Sequence, residues 1–213
     1  MLKRFEALKP EKKDRIINAA LMEFATKDYD TASTNAIVTE AEIGKGMLFH
    51  YFGSKKELYL FLYQHVVRLA TEEVFAELDL SQGDLLIRWR HLTFLKLEMT
   101  KKHPMIFEFA AIANKEEAAD VKQDIALINQ QILVEYGEEK LFHGLDLTLF
   151  KEELDAQKAI HIIIWSIDGF VAAEKKRMEK PFFQEQSEIE NMLIRMDDYI
   201  SILRRALYKE AFH

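Results

Sequence analysis

Helix-breaking residues are scarce in this chain, and that scarcity narrows its fold more than any other feature. Glycine occurs seven times and proline three times (Pro10, Pro104, Pro181) in 213 residues. A many-stranded protein needs turn signals roughly every ten residues, and they are missing. Long segments such as 54–82 and 105–136 contain neither residue, and such segments read as helices. Helical spacing supports this: Ile17, Ala20, Leu21 and Phe24 follow Pro10, a residue suited to an opening turn. The spacing predicts an all-α protein of about nine helices. They run from Pro10 to about Thr26, over a short segment capped by Ser33 or Thr34, and from Lys45 to Phe52. A long fourth helix opens at the Ser54-x-x-Glu57 capping-box pattern. The next run from Leu85 to His103, Met105 to Asn114 and Glu116 to Phe142, the last of these frayed near Gly137. The final pair covers Asp155 to Met178, stopped by Lys180-Pro181, and Ser187 to Ala211. Ile160–Trp165 has strand propensity, but no turn signals bound it, and length favours helix.

Composition excludes several functions. Without cysteine there are no disulfides, thiolate zinc sites or cysteine nucleophiles, which suits a reducing cytoplasm. The opening residues lack the apolar core of a signal peptide. The longest apolar stretch, Ile160–Val171, is broken by His161, Ser166, Asp168 and Gly169, and is too short to span a bilayer. A cytoplasmic protein with no membrane partner is expected. The sequence has no His-Glu-x-x-His, no Gly-rich phosphate loop ending in Lys-Ser/Thr, and no Gly-x-Ser-x-Gly elbow. One Glu-x-x-His, Glu210 to His213, occurs at the end of the sequence. No catalytic residue, metal ligand or cofactor is expected, and the chain reads as a non-enzyme.

The net charge of −7 is unevenly spread. Residues 1–60 hold ten Lys/Arg and nine Asp/Glu, and the remainder nineteen and twenty-seven. Only the first segment suits a polyanion.

Within that segment, two short helices flank a tight turn, Glu42-Ile43-Gly44. Ile37, Ala41, Ile43, Leu48 and Phe52 must be buried against the first and fourth helices. That leaves Lys45, Gly46, Met47, Phe49, His50 and Tyr51 on or near the opposite surface, which suits a recognition helix entering a major groove. Gly46 lets backbone approach DNA closely, and Lys55 can reach a phosphate from the start of the fourth helix. Two readings stay open here: a helix-turn-helix is either a DNA reader or a structural corner. Likewise Phe49 and Tyr51 suit core packing as well as DNA contact. An interaction module that has lost DNA binding is the rival that the acidic balance keeps in play.

The pattern Ile17-x-Ala19-Ala20-x3-Phe24, then Thr34-x2-Ile37, then Ile43-Gly-Lys45-Gly46-x-Leu48-Phe49-x-Tyr51-Phe52-x-Ser54-Lys55 resembles the DNA-binding domain of the tetracycline-repressor (TetR) family. The resemblance covers roughly residues 12–62. It implies that Thr34 contacts phosphate, that Lys45, Gly46, Met47 and His50 face the groove, and that Tyr51 and Lys55 grip the backbone. The chain departs from the family at Glu42, where glycine is usual, at Gly44, where serine is frequent, and at Phe49, where tyrosine is commoner. A non-glycine residue near positive φ is therefore expected at Glu42.

The resemblance divides the chain into a DNA-binding domain, 1–53, and a ligand-binding and dimerisation domain, 54–213. It implies a ligand-responsive regulator, a repressor that binds a near-palindromic operator as a homodimer and is released by an unknown small-molecule effector. Trp89, Phe109, Asn129, His161 and Trp165 are candidate pocket residues, each also readable as ordinary core or surface. Ile163 and Ile167 with Leu193, Met196, Ile200 and Leu203 are candidates for a four-helix dimer interface, or for a wide internal core face.

Overall fold

The computed structural model describes residues 2–177 and 186–212, and its regular structure is helical. In chain order the helices are α1 (Leu2–Glu6), α2 (Pro10–Thr26), α3 (Thr34–Glu40), α4 (Lys45–Phe52), α5 (Lys55–Glu77) and α6 (Leu85–Lys102). They continue with α7 (Pro104–Ala113), α8 (Lys122–Tyr136), α9 (Glu138–Phe142), α10 (Ala156–Arg177) and α11 (Gln186–Leu207). Among the described residues there is no strand, only a single bridge between Phe150 and Tyr208. The all-α expectation holds. Two five-residue helices, α1 and α9, add to the nine read from periodicity, and the fraying expected near Gly137 is a break between α8 and α9. The stop expected at Lys180-Pro181 lies outside the described residues.

Local chemistry explains the helix starts. Pro10 and Pro104 occupy first positions of α2 and α7, where a missing N–H costs nothing. Ser54 Oγ accepts from the Glu57 N–H at 3.1 Å, the capping expected of this pattern. Asp84 Oδ1 accepts from Leu86 N–H at 2.9 Å and opens α6. Asp155 does the same for α10 through Gln157 N–H at 3.0 Å.

The helices form two compact units, neither continuous in sequence: residues up to Glu72 with His103–Glu135, and Glu73–Lys102 with the chain from Tyr136 onward. In the first unit α2 packs on α3 and α7, and α4 on α1 and α3. Phe24, Tyr59 and Phe109 form the aromatic centre: Phe24 and Tyr59 stand edge-on at 4.8 Å, Tyr59 and Phe109 at 5.2 Å. All three are closed to solvent. The Tyr59 hydroxyl has no hydrogen-bond partner there, and burial pushes its pKa far above the ordinary phenol range.

In the second unit α6 packs against α10 and α11, which pack on each other. Its polar core centres on Arg88, which is 1% exposed and donates to four backbone carbonyls. These are Leu80 O (2.9 Å), Gln82 O (2.8 Å), Leu141 O (2.7 Å) and His143 O (2.9 Å). One guanidinium thereby fastens the α5–α6 loop and the end of α9 to α6 through backbone carbonyls. Nearby, Tyr208 donates its hydroxyl to Asp84 at 3.0 Å, and Arg204 pairs with the same carboxylate at 2.8 Å.

Candidate nucleic-acid interface

The turn between α3 and α4 is built from backbone bonds. Ala41 N–H donates to Ile37 O at 2.9 Å, and Ile43 N–H reaches back to Val38 O at 3.0 Å. To close this turn Glu42 adopts φ +52°, the left-handed conformation expected at this position. Its carboxylate accepts from Arg15 at 2.8 Å, tying the turn to α2. Gly44 caps α4 without a side-chain bond, so the hydroxyl that serine supplies at such positions is absent.

The inward side of α4 is Leu48, Tyr51 and Phe52, spaced i, i+3, i+4, and each is at most 5% exposed. Lys45, Gly46, Met47 and His50 are exposed on the outward side. A Cβ built on Gly46 meets nothing within 4 Å. No feature of the protein itself therefore demands glycine at this position.

Of the remaining residues read as DNA contacts, Thr34 is half-buried at the first position of α3, behind the Ser33 cap. Lys55 Nζ donates to Asp30 O at 3.2 Å and lies 4.9 Å from the Tyr29 ring centre, so its ammonium serves the α2–α3 loop. Tyr51 is a correction: it is core rather than surface. Its ring stands edge-on to Phe5 at 6.2 Å, because the same i, i+3 register that buries Leu48 carries Tyr51 inward. Glu23 braces the entry to α3. It accepts from Ser33 N–H at 2.7 Å and Lys27 at 2.8 Å, which outweigh its burial and hold its pKa below the usual carboxylate value.

Sequence reasoning missed α1. Phe5 is 2% exposed and packs between Phe52 (4.9 Å) and Phe61 (5.4 Å). Arg4, beside it, places Nη1 2.7 Å from His50 Nε2. The signal was the apolar pair Phe5 and Leu8, three residues apart within a basic stretch.

The residues read as a ligand pocket divide between the two units. Phe109 and Asn129 belong to the first unit, where Asn129 Oδ1 accepts from the buried Tyr63 hydroxyl at 2.6 Å. Trp89, His161 and Trp165 belong to the second. Trp89 is buried and donates to Asp168 at 3.3 Å. Trp165 is 69% exposed, with His161 stacked on it at 5.5 Å, so it lines no interior. A cavity of about 280 Å³ does open in the second unit. Val74, Phe94, Leu95 and Met99 form its apolar walls, with Glu73, Glu77, Glu98 and Lys102 around them.

The stripe read as a dimer interface or as a wide internal core face is mostly covered within the chain. Ile163, Ile167 and Met196 are fully closed off and Leu193 nearly so, all within the core of their own unit. Ile200 and Leu203 are half-buried. The apolar side chains left open on these helices stand a step round: Ile162 and Trp165 on α10, Ile194, Tyr199 and Ile202 on α11.

No described helix is long and apolar enough to cross a membrane. Residues 16–61 match the family model described as bacterial regulatory proteins, tetR family. No curated protein matches the chain. Among solved structures, a TetR family transcriptional regulator from Chloroflexus aurantiacus J-10-FL is similar at 23% identity and TM-score 0.64, covering 98% of both chains. The ketosteroid transcriptional regulator KstR2 of Mycobacterium tuberculosis is similar at 19% identity and TM-score 0.58, over 95% of this chain and 97% of that one. The fatty acid degradation regulator FadR from Bacillus halodurans has 20% identity and TM-score 0.58, over 86% and 96%. These likenesses establish the fold along the chain. The helix-turn-helix lies within the stretch that matches the tetR family model, and the resemblance read from the sequence holds.

Proposed function

We propose that this chain, whose residues 16–61 are a tetR-family DNA-binding domain, is a cytoplasmic transcription repressor that binds a near-palindromic operator as a homodimer and leaves it when a small molecule binds. The observation that carries the reading is the outward face of α4. Lys45, Gly46, Met47 and His50 stand open while the rest of the helix is anchored in an aromatic core. Such a face admits a major groove, and two copies about one helical turn apart read successive half-sites. The open apolar row of Ile162, Trp165, Ile194, Tyr199 and Ile202 is the face offered to the second copy. The 280 Å³ cavity is near the lower limit of ligand pockets and suits a small effector. Val74 and its neighbours on that cavity wall belong to α5, the helix that begins at Lys55. Release requires that the effector bind one arrangement of α5 better than the other.

The test is selection of duplexes from a random pool, followed by gel-shift titration over several salt concentrations with wild type and Gly46→Ala. Alanine fits the free protein and favours helix by about 1 kcal/mol, so this variant melts no lower than wild type. We expect it to lose competitor-resistant binding, because the added methyl meets the duplex. If wild type enriches no duplex, or Gly46→Ala binds as wild type does, the face of α4 is not the reading surface.

A further inference from the structure

The charge of the helix-turn-helix runs against its task. Residues 16–60, which contain all of it, hold four Lys/Arg and six Asp/Glu. Residues 1–15 hold six Lys/Arg and three Asp/Glu. The positive surplus therefore lies ahead of the motif. Duplex affinity comes largely from cations set against phosphates, so these charges matter only if the segment bearing them is held beside α4.

It is held there. Phe5 is 2% exposed in a nest of Tyr51, Phe52 and Phe61, two of which belong to α4 itself. Leu8 packs on the same core. The chain between them is closed by Ala7 N–H to Lys3 O at 3.2 Å and Leu8 N–H to Phe5 O at 3.0 Å. Lys13 Nζ donates to Glu6 O at 3.2 Å, fastening the end of α1 to α2. With Phe5 fixed, Arg4 is exposed at the rim of the outward face. Its Nη1 lies 2.7 Å from His50 Nε2 and 3.2 Å from Nδ1.

We infer that α1 is part of the duplex-binding surface and that Arg4 contacts a backbone phosphate at the border of the groove α4 enters. The inference rests on the DNA-binding reading above. In the free protein Arg4 rests on the exposed imidazole of His50. A phosphate offers charge and paired acceptors that match the guanidinium fork, and it displaces the imidazole. The exchange frees His50 to face the base edges and sets Arg4 on the strand beside them. The buried Phe5 makes this a built contact rather than the chance collision of a loose tail.

The test uses the full chain as wild type, Arg4→Ala, Arg4→Lys and Phe5→Ala, titrated against the enriched duplex and an unrelated duplex at several salt concentrations. Thermal unfolding confirms that each variant folds. Arg4→Ala is expected to weaken both duplexes on the order of tenfold and to lower the salt slope by about 0.9 for each phosphate lost, about two for a dimer. Arg4→Lys keeps the slope, and Phe5→Ala, which releases α1, reproduces Arg4→Ala. Wild-type affinity and slope in Arg4→Ala overturn the inference. So does a loss confined to the enriched duplex at unchanged slope, which would make Arg4 only a support for His50. Failure of wild type to enrich any duplex refutes the DNA-binding reading itself, a separate result from either.

Discussion

α4 and α10 divide their side chains in different ways. On α4 the inward residues are large and apolar (Leu48, Tyr51, Phe52), while the outward ones include a lysine, a glycine and a histidine. On α10 both sides are apolar: Ile160, Ile163, Ile167 and Phe170 are buried, yet Ile162 is 44% exposed and Trp165 69%. A helix whose polar residues mark one side announces its orientation, because burying an unpaired polar group is costly. A helix apolar on most sides does not, and its neighbours decide which row is covered. The first pattern suits a helix that meets a charged polymer, as proposed for α4; the second belongs to one that meets its own fold on one side and has a second apolar row left over.

The division on α10 is the first thing to break. Ile163→Ala leaves a hole in a sealed core and is expected to cost about 3 kcal/mol in urea unfolding. Both tryptophans, Trp89 and Trp165, lie in the second unit, so their fluorescence follows that unit alone. A loss below about 1 kcal/mol would mean that the inner row is not the core. Trp165→Glu touches the outer row. It is expected to leave the fold intact while weakening self-association by about 2 kcal/mol, roughly thirtyfold in dissociation constant, measured by sedimentation over a range of concentrations. An unchanged dimer would move the second copy elsewhere. The smallest effect is expected at the α3–α4 turn. Glu42→Gly removes a side chain from φ +52° and should raise stability by about 0.5–1 kcal/mol, less whatever the exposed Arg15 pair contributes. A loss instead would show that the ion pair outweighs the strain.

The same contrast explains what the sequence made legible. The nine longer helices, the Ser54 start and the outward set Lys45, Gly46, Met47 and His50 followed from local rules of spacing and capping, while the positive φ at Glu42 followed from the family resemblance. Tyr51 was ambiguous because a phenol ring satisfies either surface, although its i, i+3 register with Leu48 carries it inward, against Phe5. Which row of α10 is covered was not legible, since Ile163 and Ile162 are chemically alike and differ only in what packs beside them. The division of the pocket set between two units was hidden for another reason. Phe109 and Asn129 sit on α7 and α8, and nothing in their spacing shows that these helices complete the first unit.

That last arrangement constrains how the protein comes off the ribosome. The core around Phe24 and Tyr59 includes Phe109, Ala113, Val121 and Ile125, which are made some fifty residues or more after Tyr59. Until they emerge, the aromatic side of α2 that α7 covers stays open while all of α6 is synthesised. The first unit is thus begun before α6 and finished after it, and closing it is a long-range event of the kind that slows folding.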